Sequence, residues 1–241
     1  MIDLETVSKR YGALKVTDGV SLSVAAGAAL GIIGPNGAGK TTLFNLIAGT
    51  TLADTGTIRF DGEDVTRMPA RTRCHRGIGR SFQIPHPFVG MTTYENVLVG
   101  ATFGGRATER AAAAKAVEIL ELTGLARKAN VLAGRLTLLE RKRLEMARAL
   151  ASSPKLLLLD EIAGGLTEPE CVELVDAIKS VRGQGVAIIW IEHVVHALLA
   201  VVDRIAVIDF GRKIAEGDPA LTMASPEVAE IYMGIEGAAH A

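Results

Sequence analysis

The sequence predicts an α/β protein in which a parallel sheet carries a phosphate-binding loop, with an antiparallel β part and an inserted helical segment. Residues 34–42 fit the pattern G-x-x-x-x-G-K-[ST] and lie between an apolar strand and a helix. Two further apolar runs, 156–159 and 186–191, end in charged residues. Such runs are typical of parallel strands that are buried on both faces and bind ligands at their carboxyl ends.

The phosphate-binding loop follows a predicted strand over 28–33 and precedes a predicted helix over 42–48, which Gly49 ends. Its glycines let backbone N–H groups converge on phosphate oxygens, and the helix N-terminus adds a favourable dipole. Lys40 is expected to reach the β- and γ-phosphates, and the hydroxyl of Thr41 to hold Mg²⁺. The residues expected to bind the phosphates are Asn36, Gly37, Ala38, Gly39, Lys40, Thr41 and Thr42.

Charge and cysteine content argue against several classes of protein. A net charge of −1 over 241 residues is unlike a dedicated nucleic-acid binder, which usually has a strongly basic face. Cys74 and Cys171 are too few and too far apart for a disulfide framework or a cysteine-based zinc site. The N-terminus lacks the features of a secretory signal and no apolar run reaches about 18 residues, so we expect a cytosolic protein.

The N-terminal part is expected to supply the antiparallel strands. Apolar patterning places strands over 2–7, 20–24 and 56–62, flanking the strand of the phosphate-binding loop. Tyr11 lies in the polar turn after the first of them. On the residues alone, local packing of this ring is favoured over stacking on a ligand.

Residues 66–134 are expected to form a mainly helical subdomain, inserted between core parts 1–65 and 135–241. The subdomain holds predicted helices over 92–103 and 108–123 and a short strand over 78–83. Prolines force an extended loop after that strand, so Gln83 lies where ligand-contacting residues gather. Residues 67–80 include five arginines and no acid. This strip faces either a phosphate or a partner, or it is an ordinary solvated helix face.

The carboxyl edge of the predicted sheet carries the candidate catalytic residues. A helix over 140–152 precedes strand 156–159, which ends in Asp160 and Glu161. At such an edge Asp160 suits Mg²⁺, and Glu161 suits the activation of a water nucleophile. Strand 186–191 ends in Glu192 and His193, which places His193 at the same edge. The remaining expectations are a hairpin over 204–216, a last helix over 225–232 and a frayed tail over 237–241.

These motifs, in this order and spacing, resemble the ATP-binding subunits of ABC transporters over nearly the whole chain. The resemblance implies a P-loop NTPase core of the ABC-ATPase type that binds ATP and Mg²⁺ and hydrolyses ATP. It implies that Tyr11 stacks on adenine, in place of local packing, and that Gln83 links Mg²⁺ and the attacking water to a membrane-facing subdomain. Asp160 matches the Mg²⁺-binding aspartate, Glu161 the general base, and His193 the histidine that contacts the γ-phosphate.

Segments 82–85, 90–97, 163–166 and 190–193 look most like the importers of branched-chain or hydrophobic amino acids. That likeness implies transmembrane permease subunits, a second identical or related ATP-binding subunit and, indirectly, a periplasmic or extracellular solute-binding protein. The chain would then act at the cytoplasmic face of the membrane, without a nucleic-acid partner. The alternatives are the ATPase of a lipid or lipopolysaccharide exporter and a soluble ATPase acting on nucleic acid or ribosomes. The latter tends to have two ATPase halves or long coiled-coil insertions, which are not seen here.

The family's signature Leu-Ser-Gly-Gly-Gln falls on Leu136-Thr137-Leu138-Leu139-Glu140. The resemblance implies that Thr137 faces the nucleotide of the other subunit, where backbone must approach closely. Branched side chains at 138 and 139 are expected to hold that interface ajar, and Glu140 to repel phosphate unless it is turned away. Thr167 stands where the family has an aspartate. These departures leave open a regulatory subunit that binds ATP without hydrolysing it.

Overall fold

This computed structural model describes residues 1–231. Its strands are β1 (Ile2–Tyr11), β2 (Leu14–Val24), β3 (Ala29–Ile33), β4 (Thr55–Phe60), β5 (Glu63–Asp64), β6 (Ile78–Arg80), β7 (Leu156–Asp160), β8 (Ala187–Ile191), β9 (Arg204–Asp209) and β10 (Arg212–Gly217). Its α-helices are α1 (Lys40–Ala48), α2 (Ala70–Arg76), α3 (Thr93–Val99), α4 (Glu109–Leu122), α5 (Leu138–Leu150), α6 (Glu168–Gly183), α7 (Val195–Leu199) and α8 (Pro219–Met223).

A six-stranded sheet forms the centre of the fold, with strand order β10-β9-β3-β8-β7-β6. Neighbouring strands are parallel except for the antiparallel hairpin of β9 and β10. Every residue of β7 and β8 is buried, which confirms that these apolar runs are two-sided core strands. Leu156 and Leu158 face one core cluster, and Leu157 and Leu159 face the other, as the period of a strand requires.

The N-terminal strands form a separate antiparallel sheet, in the order β2-β1-β4-β5. Their antiparallel pairing is confirmed, but the expectation that they flank β3 is wrong. Both edges of β3 are taken by parallel partners, β8 and β9. The antiparallel sheet instead covers one face of the central sheet, where Ile2, Leu22 and Phe60 share a core cluster with Leu30 and with Phe44 of α1.

Helices cover the opposite face of the central sheet. There α3, α4, α5 and α6 share one core cluster with β3, β7 and β8. The predicted helix over 92–103 ends as an α-helix at Val99 and continues as a π-helical turn over Gly100–Gly104. Gly100 is needed there, because a Cβ atom on it would lie 2.6 Å from the carbonyl oxygen of Arg148.

Other boundaries differ from the sequence prediction. Helix α5 begins at Leu138, two residues before the predicted start, because Thr137 caps it. Strand β6 ends at Arg80, before Gln83, and helices α2, α6 and α8 are additional to the predicted elements. The last predicted helix is present over 226–231. Tyr232 and the predicted tail over 237–241 lie outside the described residues.

The arginine-rich segment is largely structural. Arg73 is fully buried, and its guanidinium donates to the carbonyl oxygens of Leu46 and Ile47 at the end of α1 and to those of Thr66 and Met68. A cation at this position complements the carbonyl end of the helix. The expectation of a solvated or ligand-facing strip is therefore wrong for its central arginine.

Both cysteines are free thiols, as expected. No helix among residues 1–231 is both long and apolar enough to cross a membrane.

Candidate active site

The phosphate-binding loop joins β3 to α1 through backbone conformations that require glycine. Gly34 and Gly39 have φ angles of 148° and 100°. A Cβ atom would lie 1.9 Å from the carbonyl oxygen of Ile208 at the first position and 2.3 Å from that of Val16 at the second. The β9–β10 hairpin and β2 therefore close around the loop and fix its path.

The loop surrounds a cavity of about 190 Å³. Lys40 is buried there, and its Nζ donates to the carbonyl oxygens of Gly34 and Pro35 at 2.7 and 2.9 Å. Burial lowers the pKa of Lys40, while the nearby carboxylates of Glu161 and Asp160 raise it. All seven residues expected to bind phosphate line this cavity, together with Val16 and Glu161; they are Asn36, Gly37, Ala38, Gly39, Lys40, Thr41 and Thr42.

Glu161 lies at the mouth of this cavity, one residue beyond β7. Its backbone has a φ angle of 45°, and its N–H donates to the carbonyl oxygen of Ile191 at 2.8 Å. Nε2 of Gln83 donates to Oε2 of Glu161 at 2.6 Å, and Nε2 of His193 lies 3.0 Å from Oε1. The structure thus brings together three residues that lie far apart in the sequence and that the sequence analysis singled out.

Asp160 is buried beside Glu161 and has a partner that sequence reasoning missed. Oδ2 of Asp160 accepts a hydrogen bond from Nη2 of Arg80 at 2.7 Å, and Nη1 of Arg80 donates to Oδ1 of Asn45 at 2.6 Å. Burial raises the pKa of Asp160, and the guanidinium of Arg80 opposes that shift. One feature of the sequence could have identified Arg80 as a site residue. It lies in the predicted strand over 78–83, at the end of the arginine-rich segment 67–80.

The chemistry of the site fits Mg²⁺. Thr41 in the first turn of α1, Asp160 and the amide of Gln83 supply the hydroxyl, carboxylate and carbonyl oxygens that hard cations prefer. Among residues 1–231, His, Cys, Asp and Glu side chains form no cluster of three that could hold a metal. Mg²⁺ at a phosphate site is bound by one or two carboxylates, by phosphates and by water, so no such cluster is required.

Tyr11 does not line the phosphate cavity. Half of its surface is exposed at the end of β1, where it pairs across the hairpin with Leu14, and Nζ of Lys9 lies 5.6 Å from the ring centre. Val16, on the same hairpin, is the residue that reaches the cavity. Stacking of Tyr11 on a base stays a prediction.

The signature segment is arranged differently from what its composition suggests. Thr137 caps α5 and does not line the phosphate cavity, and Glu140 folds back so that its Oε2 accepts the N–H of Thr137 at 2.9 Å. Glu140 also lies 3.0 Å from Nζ of Lys128. Leu139 is 6% exposed and belongs to the core, whereas Leu138 is 45% exposed. The expectation that both leucines obstruct an interface is therefore wrong for Leu139, whereas repulsion of phosphate by Glu140 stays a prediction.

Thr167 has a structural role at the position of the family's aspartate. It begins α6 with a capping box, in which Oε2 of Glu170 accepts from the N–H and the hydroxyl of Thr167 at 2.9 and 2.7 Å. Threonine and aspartate are both favoured at this position, so the substitution preserves the start of the helix.

Two buried ionisable side chains, Glu192 and Lys142, lie close to the carboxyl edge of the sheet. Glu192 accepts hydrogen bonds from the backbone N–H of Ala163 and from Nε1 of Trp190 at 3.2 and 3.1 Å, and burial raises its pKa. Nζ of Lys142, on α5, donates to the carbonyl oxygen of Glu161 at 3.4 Å. Sequence analysis did not identify Lys142, because its position on the helix is indistinguishable from that of a surface lysine.

Known proteins that are similar to this chain over most of its length are ATP-binding proteins of transporters. A family model described as ABC transporter matches residues 17–164. The lipopolysaccharide export ATP-binding protein LptB of Haemophilus influenzae is 34% identical over 97% of both chains. The high-affinity branched-chain amino acid transport ATP-binding protein BraF of Pseudomonas aeruginosa is 34% identical, covering 97% of this chain and 98% of its own. The probable branched-chain amino acid transport ATP-binding protein LivG of Methanocaldococcus jannaschii is also 34% identical, covering 95% and 96%.

Two solved structures have the same fold over nearly their whole length. An ATP-binding cassette of an ABC transporter in its ADP conformation superposes with a TM-score of 0.89 at 33% identity, covering 97% of this chain and 98% of that chain. A nucleotide-free ATP-binding cassette from an ABC transporter superposes with a TM-score of 0.88 at 32% identity, covering 96% of this chain and 98% of that chain.

Proposed function

This chain belongs to the ABC transporter family, and we propose that it is the ATPase subunit that powers transport of a small solute, a branched-chain or other amino acid, across the cytoplasmic membrane. Membership of the family makes it an ATPase that uses ATP with Mg²⁺ and a peripheral protein of the cytoplasmic membrane face. The observation that carries the ATPase part of the proposal is the position of Glu161, which lines the phosphate cavity and is hydrogen-bonded to Gln83 and His193.

The proposed mechanism is mostly positioning and charge neutralisation. The loop amides and Lys40 hold the phosphates, and Glu161 accepts the proton of the attacking water. His193 contacts the γ-phosphate and Gln83 orients the water, while Tyr11 stacks on adenine and Thr137 contacts the nucleotide of the other subunit. Thr41, Asp160 and Gln83 would hold Mg²⁺, which would supply positive charge to neutralise the phosphates.

The proposed transporter complex also contains a second ATP-binding subunit and a permease. Two copies, or this chain and a related subunit, enclose two ATP molecules, and residues 66–134 transmit closure to transmembrane permease subunits. Support comes from exposed apolar side chains along 82–89, namely Phe82, Ile84, Phe88 and Val89. Beside them lies a groove of about 200 Å³, here called the subdomain groove, lined by Arg80, Phe82, Val99, Gly100, Glu145 and Arg148. An exposed apolar surface beside a groove that also contains charged side chains suits a protein partner.

Two observations support amino-acid import. The segments 82–85, 90–97, 163–166 and 190–193 are the parts of the chain that look most like that subfamily. BraF and LivG, both described as branched-chain amino acid transport proteins, match nearly the whole chain. A solute-binding protein that delivers the amino acid to the permease follows from this proposal.

A second candidate, an ATPase of lipopolysaccharide export, is favoured by one observation. LptB of Haemophilus influenzae matches at 34%, the same identity as BraF, so overall identity does not separate the two functions. Both candidates use the same ATPase site and differ in the permease that docks on the subdomain groove.

Reconstitution distinguishes these functions. The chain is combined in proteoliposomes with candidate permease subunits, and ATP hydrolysis is measured with an amino-acid-loaded binding protein or with lipopolysaccharide. Amino-acid import predicts stimulation that needs both the binding protein and the amino acid. Stimulation by lipopolysaccharide alone would transfer the proposal to export.

A further inference from the structure

The guanidinium of Arg80 connects the metal-binding carboxylate to the subdomain groove. Its Nη2 donates to Oδ2 of Asp160 at 2.7 Å, and the two side chains are only 9% and 6% exposed. Its Nη1 donates to Oδ1 of Asn45, on α1, at 2.6 Å. Two charge-assisted hydrogen bonds from one planar group fix the orientation of both partners more firmly than a lysine could.

The face of the same guanidinium lies against two aromatic rings. Cζ of Arg80 is 5.0 Å from the ring centre of Phe82 and 5.8 Å from that of Phe44. Phe44 belongs to the helix that follows the phosphate-binding loop, and Phe82 precedes Gln83 and lines the subdomain groove. One side chain therefore contacts the phosphate-loop helix, the metal-binding carboxylate and the proposed permease surface.

This contact leaves one carboxylate oxygen for a metal. Oδ2 of Asp160 is taken by Arg80, whereas Oδ1 accepts no hydrogen bond from any residue in the part of the chain that the structure describes. Holding Oδ2 restricts rotation of the carboxylate and so sets the direction of Oδ1. Partners that orient a metal ligand in this way usually change metal affinity about 10- to 100-fold when removed.

We propose that Arg80 is a positioning residue that orients Asp160 for Mg²⁺ and that, through its contact with Phe82, couples Mg²⁺ affinity to the subdomain groove. The proposal rests on the proposed function, since it needs the ATP site and the permease surface. Coupling of this kind is reciprocal, so a partner that binds at Phe82 would change Mg²⁺ affinity by the same factor as Mg²⁺ changes the affinity for that partner.

The test measures nucleotide binding and not turnover. Binding of the slowly hydrolysed analogue ATPγS to the full chain is followed as Mg²⁺ is titrated, for the parent, Arg80→Lys and Arg80→Gln. Arg80→Gln is expected to raise the Mg²⁺ concentration for half-maximal binding about 10-fold, with nucleotide binding in the absence of Mg²⁺ unchanged. Arg80→Lys is expected to give an intermediate shift, because it keeps the charge but loses the planar fork. Arg76→Gln removes an exposed arginine of the same segment and serves as the control.

The coupling is tested by a double-mutant cycle with Phe82→Leu. In the parent this change is expected to shift the Mg²⁺ requirement about 3-fold, and in the Arg80→Gln background not at all. Parent-like Mg²⁺ dependence of the Arg80 variants, or additive effects of the two changes, would overturn the proposal. If Arg80→Gln does not fold, Arg80→Lys replaces it in the titration and in the cycle. A parent chain that fails to bind ATPγS would instead refute the proposed function.

Discussion

Nε2 of His193 lies 3.0 Å from Oε1 of Glu161, although the two residues are 32 positions apart and follow different strands. They meet because β7 and β8 are neighbouring parallel strands whose carboxyl ends share one edge of the sheet. Gln83 completes the contact from the other side. The candidate base is thus held by two side chains that could also contact a nucleotide, so its position depends on what occupies the phosphate cavity.

Glu161→Gln is expected to keep ATP binding and to abolish turnover. The amide has nearly the same size as the carboxylate but cannot accept a proton, and a general base typically supplies about 10²- to 10⁴-fold in rate. Steady-state hydrolysis and ATP affinity are measured side by side. Glu118→Gln is the control, because Glu118 is an exposed acid of α4 paired with Lys115. Unchanged hydrolysis by the Glu161 variant would rule out its role as the base.

Gly39→Ala is expected to be far more harmful than Gly37→Ala. Both glycines have positive φ angles, but a Cβ at Gly39 would lie 2.3 Å from a backbone oxygen, whereas Gly37 has nothing within 4 Å. Gly37→Ala should cost about 1–2 kcal/mol of unfolding free energy for its backbone conformation. Gly39→Ala should cost about 3 kcal/mol or more and weaken ATP binding. The unfolding free energies of the two variants are measured by urea denaturation. Equal losses of unfolding free energy would mean that the loop shifts to accommodate a side chain at Gly39.

Arg73→Gln is expected to destabilise the chain by about 2–4 kcal/mol, because it leaves buried carbonyl oxygens without donors. Burial lowers the pKa of Arg73 to about 10, so the guanidinium stays charged at neutral pH. Arg76→Gln, at an exposed ion pair with Glu63, should change the unfolding free energy by less than about 1 kcal/mol. Similar losses in both variants would contradict the structural role given to Arg73.

Glu140 should stabilise the chain at neutral pH and lose that effect in acid. Burial raises the pKa of Glu140, but the N–H of Thr137 and the ammonium of Lys128 outweigh it and lower the pKa overall. An acid with a lowered folded-state pKa contributes stability above the unfolded value of about 4.3 and loses it as the pH falls further. Glu140→Gln keeps the helix cap, so it should cost only about 0.3–1 kcal/mol at neutral pH. The unfolding free energies of the parent and of Glu140→Gln are compared from neutral pH down to about pH 4, and the difference between them should shrink as the pH falls. A difference that grows would refute the stabilising role of the Glu140 carboxylate.

Local patterns were enough to predict the phosphate-binding loop and the carboxyl edge. The loop motif fixes its own geometry, and an unbroken apolar run that ends in acids identifies a buried strand and its ligand-binding end. Glu161 and His193 could be placed together because each follows a strand of one parallel sheet, whereas Gln83 was linked to them only by the resemblance to the family.

The residues that sequence reasoning missed depend on register between distant segments. Arg80 reaches Asp160 only because β6 lies beside β7, with Arg80 opposite Leu158. Leu139 is buried because it lies within α5, on the helix face that packs into the core with Met146 and Leu150. The separate antiparallel sheet was missed for the same reason, since the partners of β3 are strands near the end of the chain.

ATP is expected to bring two of these subunits together around the phosphate cavities, and the solution mass of the Glu161→Gln chain shows whether it does. Light scattering is measured with and without ATP and Mg²⁺. We expect a monomer without nucleotide and a dimer with ATP and Mg²⁺, because Leu139 packs into the core of its own subunit and the carboxylate of Glu140 is paired with Lys128. A chain that binds ATP at saturation and still remains a monomer would contradict closure by this subunit with itself.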